Sequence, residues 1–446
     1  MSKKVNKIKV RMYRQGLGDC FLIQFLSNSD TVFSMMIDCG VLTGTKDADT
    51  IMRNVVNDIA GITGKKLDVV VATHEHWDHV SGFVQAKAEF DKISIGKIWL
   101  SWAENPNDKL AKILKKDMAL KLNALQQFRA NVQLDEFSMV DNALSFFAAG
   151  EGRKTSDALD YLKKRKEAEV NYYDPGEVIK LEDLPDFRFY VLGPPKDEKA
   201  IKQNMSSKDN IIYKLGMGND FLAAFTDQKN DLDKNIFGEK YLLGNDKEEI
   251  SKKYNSESAS WRKIDDAYLN NADNIALNLD SNTNNTSLVI AIECVKTGKV
   301  LLFPGDAQVG SWTSWDSYTF NIENNKNKKV EVHSEDLLSN TVLYKVGHHG
   351  SHNATIKNRG LELMTNDELA AMIPVDRAMA KKKKWKMPAD KLYKRLVDLT
   401  GGRIIILDDD KIEGKESGKR KKSTKKTDFD KNITSTKLFH ELTIEL

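Results

Sequence analysis

Three of the eight histidines in this chain lie within six residues, in the segment THEHWDH (73–79), directly after the apolar run LDVVVA (67–72). His74 and His76 point to the same side of an extended chain, because side chains alternate along a strand, and they can therefore bind one metal ion together. If the backbone then turns into a helix, Asp78 and His79 reach a neighbouring position and can hold a second ion. Four residues of metal-ligand type in six positions are unusual for a surface turn, so the segment predicts a metal site.

A second histidine cluster, His348, His349 and His352 in KVGHHGSH, again follows an apolar run. Adjacent residues point in different directions, so we expect one of His348 and His349 to bind metal and the other to meet the substrate, and the sequence does not choose between them. Asp306, in the turn PGDA, also follows an apolar run, and a carboxylate there can bridge two cations. Asp38, in MMIDCG, likewise lies at a predicted strand end.

The elements that must position these residues alternate between strands and helices. Apolar runs predict strands in the first forty residues, at Leu67–Ala72 and at Lys97–Trp102, and helical spacing predicts helices at 50–60 and at Phe83–Phe90. Further strands are predicted at SLVIAIE, KVLLFPGDA, NTVLYKVGHHGS, GGRIIILDD and KLFHELTIEL. This alternation is the pattern of an α/β fold.

One domain over residues 1–446 is expected, interrupted by three segments of different character. A helical insertion is predicted at about 105–183, where KLAKILKKDMALKLNALQQF is clearly amphipathic. The polar, asparagine-rich segment at about 196–276 is expected to be an insertion or lid. Residues at about 411–431 are predicted to form an exposed basic loop.

Composition excludes several classes of protein. Hydrophobic residues make up 40% and charged residues 30% of the chain, and the mean hydropathy of −0.49 is typical of a globular protein. No apolar run approaches the roughly 18 residues of a membrane span, and the amino terminus lacks the apolar stretch of a secretory signal. We therefore expect a cytoplasmic protein without membrane contact, whose three cysteines are free and buried.

The motifs IDCG, THEHWDH, PGDA and KVGHHGS, in that order, resemble those of the metallo-β-lactamase fold superfamily. The run NTSLVIAI, KVLLFPGDA and LYKVGHHGS further looks like its ComEC-like branch, named after a DNA-uptake protein. The resemblance implies an αββα sandwich, in the α/β (α+β) class, with a dinuclear site at one edge. The ligands that it implies are His74 and His76 for the first metal, Asp78 and His79 for the second, Asp306 as the bridge, and His348 or His349 to complete the second site.

The first metal position departs from the superfamily pattern. No histidine occurs between His79 and His333, whereas most members place another ligand in that interval. Asn285, Ser287 or water is expected to fill the gap, as the ComEC-like pattern suggests. Zinc suits the imidazole-rich second position, and manganese fits if carboxylate and water dominate the first. We therefore expect two divalent ions, zinc or else manganese, of which the first is held more weakly.

The expected function is hydrolysis, because two bound cations lower the pKa of a water molecule from about 15.7 towards 7 and so supply hydroxide. The same ions neutralise the charge that grows on a phosphoryl group, so a phosphodiesterase or nuclease is predicted. Asp78, His348 and His349 are the expected catalytic residues, and the histidine that does not bind metal hydrogen-bonds a phosphoryl oxygen. The alternatives are a hydrolase of a small ester, lactone, thioester or cyclic nucleotide, and a non-catalytic scaffold subunit.

Two lysine-rich segments bear on the substrate. KKKKWK (381–386) sets lysines around Trp385, and GKRKKSTKK (418–426) follows later in the chain. Such runs attract nucleic acid with a strong salt dependence, and a tryptophan can stack on a base, although both segments also fit solvated loops. The predicted substrate-binding residues are Asn285, Ser287, Ser351 and Trp385. GLGDC (16–20) lacks the GK[ST] ending of a phosphate loop and is interpreted as a strand bend.

Overall fold

The computed structural model describes residues 4–131, 139–148, 152–203, 264–323, 328–410 and 429–446. Most of the predicted lid (204–263) and most of the predicted basic loop (411–428), with its lysine-rich segment, lie outside the described residues. The chain divides into two compact units. The larger contains Met1–Leu114, Ser145–Asn210 and Asp280–Leu446, and the smaller contains Lys115–Leu144 and Ile211–Leu279. The single domain over residues 1–446 that the sequence predicts stays a prediction.

The strands of the described residues run in chain order as follows: β1 (Lys7–Tyr13), β2 (Cys20–Ser27), β3 (Asp30–Cys39), β4 (Lys66–Val71), β5 (Ser94–Ser101), β6 (Glu169–Tyr173), β7 (Val178–Ile179), β8 (Phe187–Gly193), β9 (Val289–Cys294), β10 (Val300–Phe303), β11 (Thr319–Glu323), β12 (Lys329–His333), β13 (Thr341–Lys345), β14 (Ala370–Ile373), β15 (Ile404–Ile406), β16 (Ile433–Ser435) and β17 (Phe439–Glu445).

The helices of the same residues are α1 (Ala48–Ile62), α2 (Trp77–Val80), α3 (Gly82–Gln85), α4 (Lys87–Phe90), α5 (Lys109–Asn131), α6 (Met139–Phe146), α7 (Thr155–Lys163), α8 (Glu198–Ile201), α9 (Ile264–Asn284), α10 (Val309–Ser314), α11 (Ser334–Ser339), α12 (Arg377–Lys382) and α13 (Asp390–Thr400). Among the described residues, none of these helices is both long and apolar enough to cross a membrane.

Two large sheets carry the larger unit. The first has the strand order β16-β17-β1-β2-β3-β4-β5-β6, and the second has the order β15-β14-β13-β10-β9-β8-β7. Strands β3 to β6 run parallel to one another, and so do β10, β13, β14 and β15. Strand β10 (VLLF) is entirely apolar and β4 ends in three buried valines, as expected for parallel strands that are covered on both faces.

The main hydrophobic core lies between the two sheets. Phe25 of β2 meets Phe187 of β8 with ring centroids 4.8 Å apart, and Phe21 meets Phe303 of β10 at 5.8 Å, both edge to face. On the other face of the first sheet, a second cluster joins the strands to apolar side chains of α1, α3, α4 and α7. Helix α13 contacts β14 and β15 of the second sheet. The predicted αββα sandwich is confirmed.

Several local predictions differ from the structure. The helix predicted at Phe83–Phe90 is divided into α3 and α4. The predicted helical insertion contains α5, α6 and α7, but its last part forms β6, which pairs with β5 in parallel, and β7, which pairs with β8. The sequence of β6, EVNYY, contains the β-branched and aromatic residues that favour a strand.

The helix α9 was not predicted, and its first part falls within the expected lid. Asparagine is a poor helix former, and this segment is rich in it. The apolar residues Ala272, Ile275, Ala276 and Leu279 nevertheless recur at helical spacing, a signal that the composition masked. Cys20, Cys39 and Cys294 are free and buried, as predicted.

Candidate metal centre

The predicted metal ligands lie where parallel strands end. His74 to His79 follow β4, the parallel neighbour of β3, in which Asp38 is the penultimate residue. Asp306 follows β10, and His348 and His349 follow its parallel neighbour β13. Because parallel neighbours end at the same edge of a sheet, each pair of strands brings its polar side chains together.

The four-ligand group, which we define as Asp78, His79, Asp306 and His349, is the larger of two groups of metal-type side chains among the described residues. Each residue offers one ligand atom, and the four atoms all lie within 4.8 Å of one another. His349 Nε2 lies 2.9 Å from Asp78 Oδ2, and His79 Nε2 lies 3.2 Å from Asp306 Oδ2. All four side chains are buried, so the structure brings together one candidate site of two imidazoles and two carboxylates.

Hydrogen bonds fix which nitrogen each imidazole presents. His349 Nδ1 lies 2.7 Å from the carbonyl oxygen of Pro374, which only accepts, so this nitrogen carries the proton and Nε2 keeps its lone pair when the ring is neutral. His79 Nδ1 lies 2.8 Å from Asp38 Oδ2, which leaves His79 Nε2 towards the group in the same way. Carboxylate or carbonyl partners of this kind orient histidine ligands in metal sites.

The donor atoms fit a divalent cation. Asp78 Oδ1 is buried and has no hydrogen-bond partner among the described residues, so it has a lone pair to offer. Four buried carboxylates, those of Asp19, Asp38, Asp78 and Asp306, face one ammonium, that of Lys345. With neutral histidines this cluster has an excess of three negative charges, which a bound cation would offset. Two nitrogen and two oxygen ligands suit zinc.

The pKa shifts at the centre reflect this crowding of charge. Burial lowers the pKa of His79, but the charges of Asp306, Asp19, Asp78 and Asp38 outweigh burial and raise it well above its ordinary value. Burial raises the pKa of Asp306, but the charges of His79 and Lys345 hold it well below its ordinary value. Both directions indicate a site that favours positive charge.

Two glycines let the β1–β2 loop reach the centre. Gly18 has a φ of 148°, and a Cβ atom there would lie 2.5 Å from Gly40 O and 2.6 Å from Asp78 O. A Cβ atom on Gly40 would lie 2.4 Å from the carbonyl carbon of Asp78. This close approach allows Asp19 N to donate to Asp78 O at 2.9 Å. The loop therefore holds the backbone of a candidate ligand in place.

The other two predicted ligands, His74 and His76, form what we call the histidine pair. His74 Nε2 lies 3.0 Å from His76 Nδ1, close to the separation of about 3.0–3.4 Å expected for two nitrogens on one ion with bonds of about 2.1 Å. Among the described residues, the groups of three or more metal-type ligands are the four-ligand group and the set Asp19, Asp38 and His79, and neither contains the histidine pair. That the first metal position is short of a ligand stays a prediction, and this arrangement fits it.

An aromatic wall covers one side of the histidine pair. The ring of His76 stacks on Phe146 with centroids 5.2 Å apart and meets Phe147 edge to face at 5.0 Å. Burial lowers the pKa of His76 to about 3 and that of His74 well below its ordinary value. Both imidazoles are therefore neutral near pH 7, the form that binds metal.

The turn after β13 separates the roles of His348 and His349. Both residues have positive φ, 46° and 54°, a conformation that costs a non-glycine residue about 1–3 kcal/mol. The turn aims His349 at Asp78, whereas the backbone nitrogen of His348 donates to Asp306 Oδ1 at 2.9 Å and its Nδ1 lies 3.2 Å from Gln308 Nε2. His349 is thus the one brought into the four-ligand group, a choice that the sequence left open.

The predicted substrate-binding residues have protein partners. Asn285 is buried, its amide donates to Ile201 O at 3.0 Å, and its oxygen accepts from the backbone nitrogens of Gln308 and Ser311, each at 3.1 Å. Ser287 Oγ accepts from Asp306 N at 3.1 Å, so it positions the Asp306 turn. These hydrogen bonds give Asn285 and Ser287 structural roles. Direct contact of either residue with a substrate stays a prediction, and the hydrogen bonds do not support it.

The other two predicted substrate residues lie at the edge of the centre. Ser351 Oγ donates to Asn353 Oδ1 at 2.8 Å within the turn. The half-buried ring of Trp385 stacks on Phe146 with centroids 5.3 Å apart and planes inclined by 8°, so one of its faces is already covered. A base that stacks on Trp385, as predicted, would have to contact the opposite face of the indole ring.

Two residues of the centre were missed in the sequence. Asp19 lies in GLGDC, interpreted only as a strand bend, yet its carboxylate forms an ion pair with Lys345 and lies 3.7 Å from His79 Nδ1. Lys345 immediately precedes the turn that carries His348 and His349, and it is 2% exposed. The available signals were a carboxylate between a turn with two glycines and strand β2, and a lysine that ends an otherwise apolar strand.

Comparison with known proteins finds a family match for part of the chain. No curated protein matches the chain. Residues 13–98, which include Asp19, Asp38, the histidine pair, Asp78 and His79, match the family model described as Metallo-beta-lactamase superfamily, whereas Asp306 and His349 lie outside the matched residues. Members of that superfamily are generally hydrolases that bind divalent metals, so the match at residues 13–98 and the buried four-ligand group together indicate a metal-dependent hydrolase.

Proposed function

We propose that this protein is a metal-dependent phosphodiesterase that cleaves nucleic acid. The observation that carries the proposal is the position of the lysine run, residues 381–386, beside the candidate metal centre. A polyanion drawn to these lysines would lie next to the groups that can hydrolyse it. The resemblance to the ComEC-like branch, a cytoplasmic location and the identity of the metal as zinc or manganese stay predictions that fit this proposal.

Two sets of contacts connect the segment of the lysine run with the candidate metal centre. Trp385 stacks on Phe146, which in turn stacks on His76 of the histidine pair. A few residues further on, Ala389 N donates to Gly350 O at 2.8 Å, in the turn that carries His349. A Cβ atom on Gly350 would lie 2.8 Å from Pro388 Cβ, so the two segments are in close contact. Lys381, Lys382, Lys384 and Lys386 are exposed at this position.

Bound divalent ions would supply a hydroxide near neutral pH and offset the charge that develops on a phosphoryl group. The residues of this chain would contribute the holding and positioning. Asp78, His79, Asp306 and His349 would hold the ion, and Asp38 keeps the Nδ1 proton of His79. Each of these groups is buried, which excludes water from their interactions and strengthens them.

His348 is suited to contact the substrate as a neutral group. Burial lowers its pKa to about 4, so its ring is uncharged at pH 7. Gln308 Nε2 donates to His348 Nδ1 in the arrangement of the structure, which places the ring proton on Nε2. A neutral Nε2–H group can donate a hydrogen bond to a non-bridging phosphoryl oxygen. This is the role that the sequence predicted for the histidine that does not bind metal.

The salt dependence of binding tests the proposal. The catalytically impaired variant Asp306→Ala would be titrated with single- and double-stranded DNA and RNA over a series of salt concentrations. If the lysine run binds phosphates, changing Lys381, Lys382, Lys384 and Lys386 to glutamine should make the log–log slope shallower. The expected change is about 0.7–0.9 for each phosphate that is no longer neutralised.

A matched control uses four exposed lysines elsewhere on the chain, Lys65, Lys92, Lys164 and Lys166. Lys92, Lys164 and Lys166 line a cavity beside the first residue of β5, at the opposite end of that strand from its carboxyl edge. Their change to glutamine should leave the slope unaltered. Equal slopes in all variants, with turnover of a neutral ester or lactone, would favour the small-substrate alternative. A folded, metal-loaded protein that hydrolyses none of these substrates would favour the scaffold alternative.

A further inference from the structure

Lys345 is a buried ammonium group within the candidate metal centre. It is the last residue of β13, and its side chain is 2% exposed. Nζ donates to Gly305 O at 2.8 Å, lies 3.2 Å from Asp306 Oδ1 and forms an ion pair with Asp19. Three acceptors therefore match its three N–H groups, and the ammonium is held as a fixed positive charge.

The contacts of Asp306 limit how it can bind metal. Its Oδ1 atom accepts from the backbone nitrogen of His348 at 2.9 Å and from Lys345 at 3.2 Å. A carboxylate oxygen has about two lone pairs, so these two donors occupy Oδ1. Only Oδ2 faces the four-ligand group, 3.2 Å from His79 Nε2. A carboxylate that bridges two ions through its two oxygens needs both of them free, which does not fit this arrangement.

The histidine pair also fits a second ion poorly. It offers two nitrogens, 3.0 Å apart, a separation that suits one ion but supplies only two ligands. No third histidine, cysteine or carboxylate joins them in a ligand group within the part of the chain that the structure describes. A divalent ion with two protein ligands is held weakly, since structural sites have four and catalytic sites usually three.

We propose that Lys345 supplies the positive charge that a second metal ion would otherwise supply, so that the centre holds one tightly bound divalent ion in the four-ligand group. A cation approaching the histidine pair and Asp306 is repelled by the ammonium, and it finds Asp306 Oδ1 occupied. The inference rests on the metal-binding part of the proposed function and is independent of the substrate class. It departs from the two ions that the sequence motifs imply.

The experiment counts bound metal in the full-length protein. The metal-free protein would be titrated with Zn²⁺ by calorimetry, dialysed against metal-free buffer and analysed for zinc. We expect one retained equivalent in the wild-type protein. In Lys345→Gln, which removes the charge and keeps a donor for Gly305 O, we expect a second equivalent to bind at least about tenfold more tightly than in the wild type.

Two further variants locate the effect. Lys345→Arg keeps the positive charge and should retain one equivalent. The double variant Lys345→Gln/His76→Ala removes a ligand of the histidine pair and should lose the second equivalent that Lys345→Gln gains. As an independent measurement, Mn²⁺ should give the spectrum of isolated ions by electron paramagnetic resonance in the wild type and that of coupled ions in Lys345→Gln.

Two equivalents of similar affinity in the wild type would overturn the proposal, and this count suffices even if Lys345→Gln does not fold. A folded Lys345→Gln variant that still binds one equivalent would overturn the role of the lysine. A wild-type protein that retains one equivalent but hydrolyses no phosphodiester would leave this inference standing and contradict only the proposed substrate. The two proposals can therefore fail separately.

Discussion

The segment THEHWDH contains two neighbouring sets of metal-type ligands, and they meet different surroundings. Asp78 and His79 join Asp306 and His349, which follow two strands of the second sheet. The histidine pair, only two to five residues earlier, finds no further ligand of this kind among the described residues and packs against an aromatic wall. Two residues of one short segment thus belong to a four-ligand group, whereas two similar residues of the same segment form only a pair.

The difference shows that a ligand motif on one strand end is only half of a metal site. The four-ligand group is completed from another sheet, and its imidazoles are oriented by Asp38 and by the carbonyl of Pro374. In the histidine pair, the two nitrogens lie 3.0 Å apart, a separation that suits one ion, but no third ligand from another element joins them among the described residues. Affinity therefore depends on partners that are distant in sequence, and four predictions can test this comparison.

The largest effect is expected from Asp306→Ala. The variant loses a carboxylate ligand of the four-ligand group, so hydrolysis of bis-p-nitrophenyl phosphate should fall by about a thousandfold or more while the fold is retained. Steady-state kinetics and a thermal melt measure the two properties. Asp183→Ala, at an exposed aspartate, is the matched control and should behave as the wild type. Full activity of Asp306→Ala would contradict the assignment of the centre, and Asp78→Ala is expected to behave like Asp306→Ala.

The next effect is expected from Asp38→Asn, which weakens the orientation of His79 without removing a ligand. Asp38 has a φ of 56°, a conformation that asparagine also tolerates, so the backbone should be preserved. The amide cannot accept the bonds from His79 Nδ1 and from Thr73 as the carboxylate does. Metal affinity should fall by about 10–100-fold in competition with a chelator. Unchanged affinity would show that His79 needs no such partner.

A smaller effect is expected from His76→Ala, and it contrasts directly with His79→Ala. The tightly bound ion should remain in His76→Ala, with kcat/KM lowered about tenfold through loss of one polar group at the centre. His79→Ala should lose the ion altogether. Elemental analysis after dialysis distinguishes the two variants. Equal loss of metal in both would mean that the histidine pair and the four-ligand group form one site.

The smallest effect is expected at the ion pair between Asp49 of α1 and Arg153, which lies just before α7. Helix α7 is connected to the motif THEHWDH, because Thr155 donates a hydrogen bond to Glu75. The hydrogen bond from Arg153 lowers the pKa of the Asp49 carboxyl group in the folded protein. The ion pair therefore stabilises the fold above the ordinary aspartate pKa of about 3.9, and this stabilisation is lost as the pH falls through the lower pKa of the folded state. Because the pair is well exposed, Asp49→Asn should cost only about 0.5 kcal/mol at pH 7.

Denaturant unfolding of the wild type and of Asp49→Asn at several pH values checks this prediction. The difference in the free energy of unfolding should be constant from neutral pH down to about pH 5 and should shrink towards pH 3. A difference that grows on acidification would have the wrong sign for a carboxylate with a lowered pKa. Metal retention should be the same in both proteins, since the pair contacts none of the four ligands.

Much of the site could be predicted from the sequence because its residues cluster locally. THEHWDH, PGDA and HHGS each follow an apolar strand, and strand ends collect polar side chains at the edge of a sheet. Lys345 and Asp19 could not be recognised in the same way, because each is a single charged residue whose partners lie far away in the chain. The helix α9 was missed since its polar composition concealed an apolar stripe.

The sequence alone determined the α/β layers, the metal-type residues at the strand ends and the absence of a third histidine near the first position, since these follow from local periodicity and composition. Only the tertiary structure decided that His349 rather than His348 enters the four-ligand group, that Trp385 stacks on Phe146, and that Lys345 occupies Asp306 Oδ1. The physical reason is that these outcomes depend on distances between side chains from different elements. Residue type and spacing along one strand do not determine such distances.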